Sequence, residues 1–166
     1  MRKPSPGQSG PGQSGPGQSS EGHEFRHDAS ATAPAVDVAA RLRQSGLRTT
    51  RQRLTLAEIL FADGCDRHVT AESLFAAAAS RGTRLSLATV YNCLHQFTNA
   101  GLLRIVTVDS GRAYFDTNLD PHHHFYYEKS GDLRDIPAAD VSVSSLPEAP
   151  EGQRISRVDV IVRLEG

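Results

Sequence analysis

Apolar residues recur along this chain at two spacings, and the change from one to the other divides it. From residue 36 to residue 101 they repeat at helical intervals. Val38 and Leu42 face one side of a short helix over 36–45, which Gly46 ends. Thr50 is the N-cap of a second helix over 51–62, with Leu54, Ile59 and Leu60 as its buried side. Thr70 opens a third helix, with Leu74, Phe75 and Ala78 inward and Gly82 at its end, and Thr70-Ala71-Glu72-Ser73 supplies half of a capping box. The clearest pattern is 86–101, SLATVYNCLHQFTNAG. Leu87, Val90, Leu94 and Phe97 share one face, Thr89, Asn92 and Gln96 the opposite one, and Gly101 closes the helix.

Beyond Gly101 the period shortens to two. Residues 102–108 and 112–115 alternate about a hairpin turn at Asp109-Ser110-Gly111. A polar connection leads to a strand over 122–127, a turn at 128–132 and a second short strand over 133–136. Pro137, Pro147 and Pro150 punctuate a loop with one helical turn near 146–151, and 155–164 reads as a closing strand. The predicted fold class is α+β. Helices followed by a β-hairpin have the order of a winged helix, placed at 36–117. A small α/β dimerisation domain with a three-stranded antiparallel sheet follows at 118–166. So small and one-sided a sheet calls for a second copy, hence a homodimer.

Composition adds a third region. PGQSG occurs at Pro6 and Pro11, and PGQSS follows at Pro16. Such residues bury too little apolar area to offset ordering entropy, so 1–35 is expected to be a disordered low-complexity tail in which His23 and His27 are an incidental pair. The formal net charge of -1 conceals an asymmetry. Residues 36–104 carry nine arginines against five acids, whereas 105–166 carry six basic residues against eleven acidic ones. An arginine surplus favours phosphate contact. Only Cys65 and Cys93 are present, without CxxC spacing, so no disulfide framework is indicated, and Cys93 is read as packing. No apolar run suits a membrane span and no apolar core suits a secretory signal, so a cytoplasmic protein is expected.

Two places carry candidate chemistry. Thr89, Asn92 and Gln96 suit the base edges of a DNA major groove. A polar surface helix would look the same, but the short turn before 86, the hairpin after 101 and the arginines favour double-stranded DNA, with Ser86 added to the readers. The second place is His122-His123-His124. On a strand His122 and His124 share a face and His123 opposes them, so two imidazoles can hold one metal ion while the third serves another site or a haem iron. His68 and Asp116 are the nearest residues to complete a shell. Three His and a carboxylate accept Fe²⁺, Mn²⁺ or Zn²⁺, although a surface cluster binding metal adventitiously has the same spacing. No HExxH, GxSxG or P-loop pattern is present, so no enzyme is expected.

These segments resemble a known family. LRTTRQRLTLAEIL, HVTAESLF, LSLATVYNCLHQFTNAGLL, YFD and HHHF follow in order the pattern of the ferric uptake regulator superfamily. HHHFYYEKSGDLRDIP and ISRVDVIVRL are similar to its iron response regulator branch. The resemblance implies a homodimeric transcription regulator of haem-synthesis and iron-homeostasis genes at AT-rich operators. It implies haem as the signal, bound at His122, His123 and His124 and weakening DNA binding. It also implies an inter-domain metal site at His68, Asp116, His122 and His124, with Asp116 where Glu is usual. Tyr91 matches a base-contacting tyrosine and Arg48 a residue that reaches the minor groove. Asn92 stands where arginine is usual, and Tyr127 and Ser130 stand where relatives carry a zinc-binding cysteine pair. Direct sensing of Mn²⁺ or Fe²⁺ at the metal site is the alternative, and a haem- or metal-buffering protein without DNA function is a third.

Overall fold

The computed structural model describes residues 36–109 and 112–166. The low-complexity stretch 1–35, with His23 and His27, and the turn residues Ser110 and Gly111 lie outside the described residues.

Four helices come first: α1 (Val38–Gln44), α2 (Arg51–Phe61), α3 (Ala71–Ser80) and α4 (Leu87–Asn99). Each begins where a side-chain oxygen takes up a free backbone N–H of the first turn: Asp37, Thr50, Thr70 and Ser86 accept from Ala40, Arg53, Ser73 and Thr89. The capping box of α3 is complete rather than half formed, because the Ser73 hydroxyl accepts from the Thr70 N–H at 3.0 Å, the place Glu or Gln usually fills. Gly101, at φ +70°, lets the chain leave α4 at once.

Leu42, Leu56, Leu60, Leu74, Val90, Leu94 and Phe97 form the sealed centre between the helices. Burying each such side chain is worth about 1.5–3 kcal/mol, which fixes α4 by its inner face and leaves the other free. Three expected core residues sit differently, and Phe75 of α3 is one of them, only half-buried at the edge of the core. Leu87 is 37% exposed at the first position of α4, and Leu54 is half-buried, because the inward stripe of α2 runs through Leu56, Ile59 and Leu60 at i, i+3 and i+4.

Two small sheets follow. Sheet A is antiparallel in the order β1-β3-β2, from β1 (His68–Val69), β2 (Arg104–Asp109) and β3 (Arg112–Asp116). β1 is too short to carry a periodicity of its own, yet it pairs His68 with Asp116 and Val69 with Phe115. Sheet B has the order β5-β4-β6, from β4 (His122–Tyr127), β5 (Asp132–Pro137) and β6 (Ile161–Leu164). It is mixed, not antiparallel as expected. β4 and β5 form a hairpin, but β6 runs parallel to β4. The long return after β5 is what a parallel partner requires, and a short turn would have forbidden it. β6 is also shorter than the predicted 155–164: residues 155–158 run past the start of β4 at His122, and the Val160 N–H goes to the His123 side chain. The predicted helical turn near 146–151 is replaced by a 3-10 turn at Ala138–Asp140.

The last three residues of β3, Tyr114, Phe115 and Asp116, are buried and connect the halves. Phe115 enters the helical core, whereas Tyr114 joins Val106, Val108, Tyr126 and Leu133 between the two sheets. The Tyr114 and Tyr126 rings meet edge to face at 6.3 Å between centroids. Period-two alternation then carries Asp116 to the same side as Tyr114, facing sheet B.

Candidate metal centre and nucleic-acid interface

The register of the two sheets builds a polar layer beside the apolar one. In sheet A, Asp116 stands opposite His68 on one side and Arg104 on the other. In sheet B, His124 stands opposite Asp135, with His122 two residues along the same face. The layers meet. His68 Nε2 lies 2.9 Å from Asp135 Oδ1, His122 Nε2 lies 3.1 Å from His124 Nε2, and Asp116 Oδ2 lies 3.1 Å from His122 Nε2 and 3.5 Å from His124 Nε2. One ligand atom each from His68, His122, His124 and Asp135 falls within 4.8 Å of all the others. His124 and Asp116 are fully buried.

These groups fit a divalent cation. His68 Nε2 and Asp135 Oδ1 are buried and, despite their closeness, have no hydrogen-bond partner. Leaving such atoms unpaired is costly, and a cation between them removes the cost. Burial pushes the His68 imidazole below its ordinary 6.5, with Asp116 and Asp135 opposing that shift, which favours the neutral ligating form. The supporting contacts aim the ligands. His122 Nδ1 meets the Asp120 carbonyl at 2.8 Å, which turns Nε2 inward. Asn118 Nδ2 donates to Asp135 Oδ2 at 2.6 Å, leaving Oδ1 for the centre.

All four expected metal residues, His68, Asp116, His122 and His124, are therefore brought together. Two members went unforeseen. Asp135 is marked only by its register opposite His124, and Arg104 only by its place opposite Asp116. The expected haem set does not converge. His122 and His124 turn Nε2 into the cluster, while His123 faces away and its Nδ1 accepts the Val160 N–H at 3.3 Å. The run therefore presents two imidazoles to the cluster and the third to the opposite side.

The residues expected at DNA lie on two sides of α4. Thr89, Asn92 and Gln96 border a cleft with Thr50, Gln52 and Arg53 from the start of α2. Arg53 Nε donates to Gln96 Oε1 at 2.9 Å and its Nη1 to the Arg48 carbonyl at 2.9 Å, so Arg53 positions both the helix face and the exposed Arg48. Asn92 is exposed in that cleft. Tyr91 points elsewhere and donates to Glu72 Oε1 on α3 at 2.8 Å, which holds the Glu72 carboxyl below its usual range. Ser86 is the N-cap of α4 and its Oγ also lies 2.8 Å from Thr89 Oγ1, so it shapes the helix start. Cys93 is buried, as expected of a packing residue.

A family model described as the ferric uptake regulator family matches residues 44–162. The peroxide-responsive repressor PerR of Staphylococcus epidermidis is 32% identical over 97 residues, which are 58% of this chain and 63% of that protein. The ferric uptake regulation protein of Neisseria meningitidis serogroup A is 31% identical over 98 residues, 58% of this chain and 67% of its own length. The alignment thus spans about two thirds or less of these relatives. Among solved structures, the ferric uptake regulator of Pseudomonas aeruginosa with manganese superposes with a TM-score of 0.60 at 25% identity, covering 79% of this chain and 98% of that one.

Proposed function

Because this chain belongs to the ferric uptake regulator family, we propose that it is a transcription regulator that binds double-stranded DNA and responds to a divalent metal held between its two sheets. The observation that carries this reading is the convergence of His68, His122, His124 and Asp135 on one buried point contributed by both sheets. Three imidazoles and a carboxylate suit Fe²⁺, Mn²⁺ or Zn²⁺. A divalent cation bound there supplies the positive charge toward which donors of the two sheets draw together.

Residues 36–117 are the reading head, a winged helix in which α4 enters the major groove and the β2–β3 hairpin forms the wing. Thr89 and Asn92 face base edges, Tyr91 adds a contact once released from Glu72, and Arg48 with the neighbouring arginines holds phosphates, or the narrow minor groove of an AT-rich operator. Ser86 acts through the helix end it caps. Residues 118–166 form the sensing and dimerising part. Exposed Val143, Leu146 and Ile155 and the free edge of β6 support pairing with a second copy in a homodimer. Among the described residues no helix is long and apolar enough to cross a membrane.

The iron response regulator reading, with haem as the signal, draws on the His122-His123-His124 run and on the likeness of 122–137 and 155–164 to that branch, whereas His122 and His124 turn their Nε2 atoms into the metal cluster. A labelled AT-rich duplex followed by fluorescence anisotropy tests both signals. Mn²⁺ should tighten salt-dependent binding and a chelator reverse it, with a G·C-rich duplex bound more weakly. Binding that ignores Mn²⁺ but is released by haem would replace this reading with the haem one. No sequence-selective binding under any condition would leave a metal-buffering protein.

A further inference from the structure

Asp116 is the most buried carboxylate of the cluster, and its oxygens are already taken. Oδ2 accepts from Arg104 Nε at 2.6 Å and Oδ1 accepts the Asn118 N–H at 2.8 Å. Arg104 is itself only 8% exposed. Its Nη2 lies against His122 Nε2 and 3.5 Å from His124 Nε2, and its Nη1 reaches the Asp120 carbonyl at 3.5 Å. A guanidinium stays protonated at any physiological pH. A permanent positive charge therefore sits among the nitrogens that face the centre of the site. It starts from β2 of sheet A and ends on His122 of sheet B and on Asp120 in the connection before it, so it ties the sheets together through side chains of both.

Resting on the reading of this cluster as a metal centre, we propose that Arg104 is its resident cation. In the metal-free chain Arg104 joins Asp116 of sheet A to His122 and His124 of sheet B and to Asp120 in the connection before it, and keeps the joint closed. With a divalent ion present its charge opposes binding, so Arg104 sets the metal affinity of the site. Asp116 then serves as the positioning partner of Arg104, and the ligand set is His68, His122, His124 and Asp135. Buried charges persist only when paired, and Arg104 and Asp116 satisfy each other whether or not metal is bound.

The test is a Mn²⁺ titration of the full chain, reading free Mn²⁺ by electron paramagnetic resonance, with thermal melts run alongside with and without Mn²⁺. Arg104→Gln removes the charge and keeps hydrogen-bonding groups. It should bind Mn²⁺ more tightly by roughly tenfold or more, since a like charge a few ångström from a partly buried ion opposes it strongly. It should also melt lower without metal and gain more from Mn²⁺ than the wild type. A variant that folds only with Mn²⁺ is the same result in its extreme form. Arg104→Lys keeps the charge and should stay near the wild-type affinity. Equal or weaker Mn²⁺ binding by Arg104→Gln overturns the proposal, as does a variant that stays unfolded in Mn²⁺. Failure of the metal reading looks different: neither the wild type nor Arg104→Gln would show Mn²⁺ binding that His124→Ala abolishes, and both would then fall.

Discussion

The outer face of α4 and the polar layer between the sheets are the two chemically loaded regions of this chain, and they are built in opposite ways. The α4 face comes from one continuous segment. Its inner residues Val90, Leu94 and Phe97 are clamped in the core, and the i, i+3 and i+7 geometry of a helix then presents Thr89, Asn92 and Gln96, with Arg53 of α2 holding only Gln96. The polar layer takes His68 from β1, Arg104 from β2, Asp116 from β3, His122 and His124 from β4, and Asp135 from β5. Only the register of strands far apart in the chain brings them together. A locally built face tolerates change one residue at a time, whereas a centre drawn from distant strands fails when one of its ligands His68, His122, His124 or Asp135 goes.

That contrast predicts how each region breaks. The largest effect belongs to the cluster. His124→Ala should weaken Mn²⁺ binding by on the order of a hundredfold or more, because even supporting contacts around a metal are worth roughly 10–100-fold. Calorimetric titration of the two proteins gives the ratio, and an unchanged affinity would remove His124 from the site. On α4 the losses should be graded. Asn92→Ala should reduce discrimination among operator bases by about 1–3 kcal/mol and leave weak binding to unrelated duplex nearly intact, as competition binding would show. Ser86→Ala should cost about 1 kcal/mol of stability through the lost N-cap, with Ser86→Thr recovering most of it. If Ser86→Ala instead altered base preference at unchanged stability, Ser86 would return to the list of readers.

The smallest effect is one of pH. The folded His68 is held below 6.5 by burial, so the unfolded chain binds more protons as pH falls through that value. Metal-free stability should therefore be fully present above about pH 6.5 and decline below it, towards the depressed folded value. Urea melts across that range, compared with His68→Gln, should show a shallower decline in the variant.

The same contrast explains what the sequence revealed. All four helices were legible, since each has an apolar stripe and a capping residue of its own. The α4 face followed directly from its period. His68, Asp116, His122 and His124 were legible as ligand types, with the family resemblance supplying their common site. Asp135 was not, because an acid on a short strand between Arg134 and Ile136 gains meaning only when the β4–β5 hairpin sets it opposite His124. Arg104 looked like one more arginine of a basic block until β2 paired it with Asp116. The parallel β6 escaped for a related reason: alternation marks a strand but carries no direction.

Metal binding and DNA binding are expected to be coupled, and linkage gives that coupling a direct test. The Mn²⁺ dissociation constant is measured once with the chain alone and once with saturating AT-rich duplex. If metal tightens DNA binding, the duplex must tighten Mn²⁺ binding by the same factor. A matched pair of factors above one is the predicted result. A Mn²⁺ affinity identical with and without duplex would contradict it and leave the cluster and the α4 face as two independent sites.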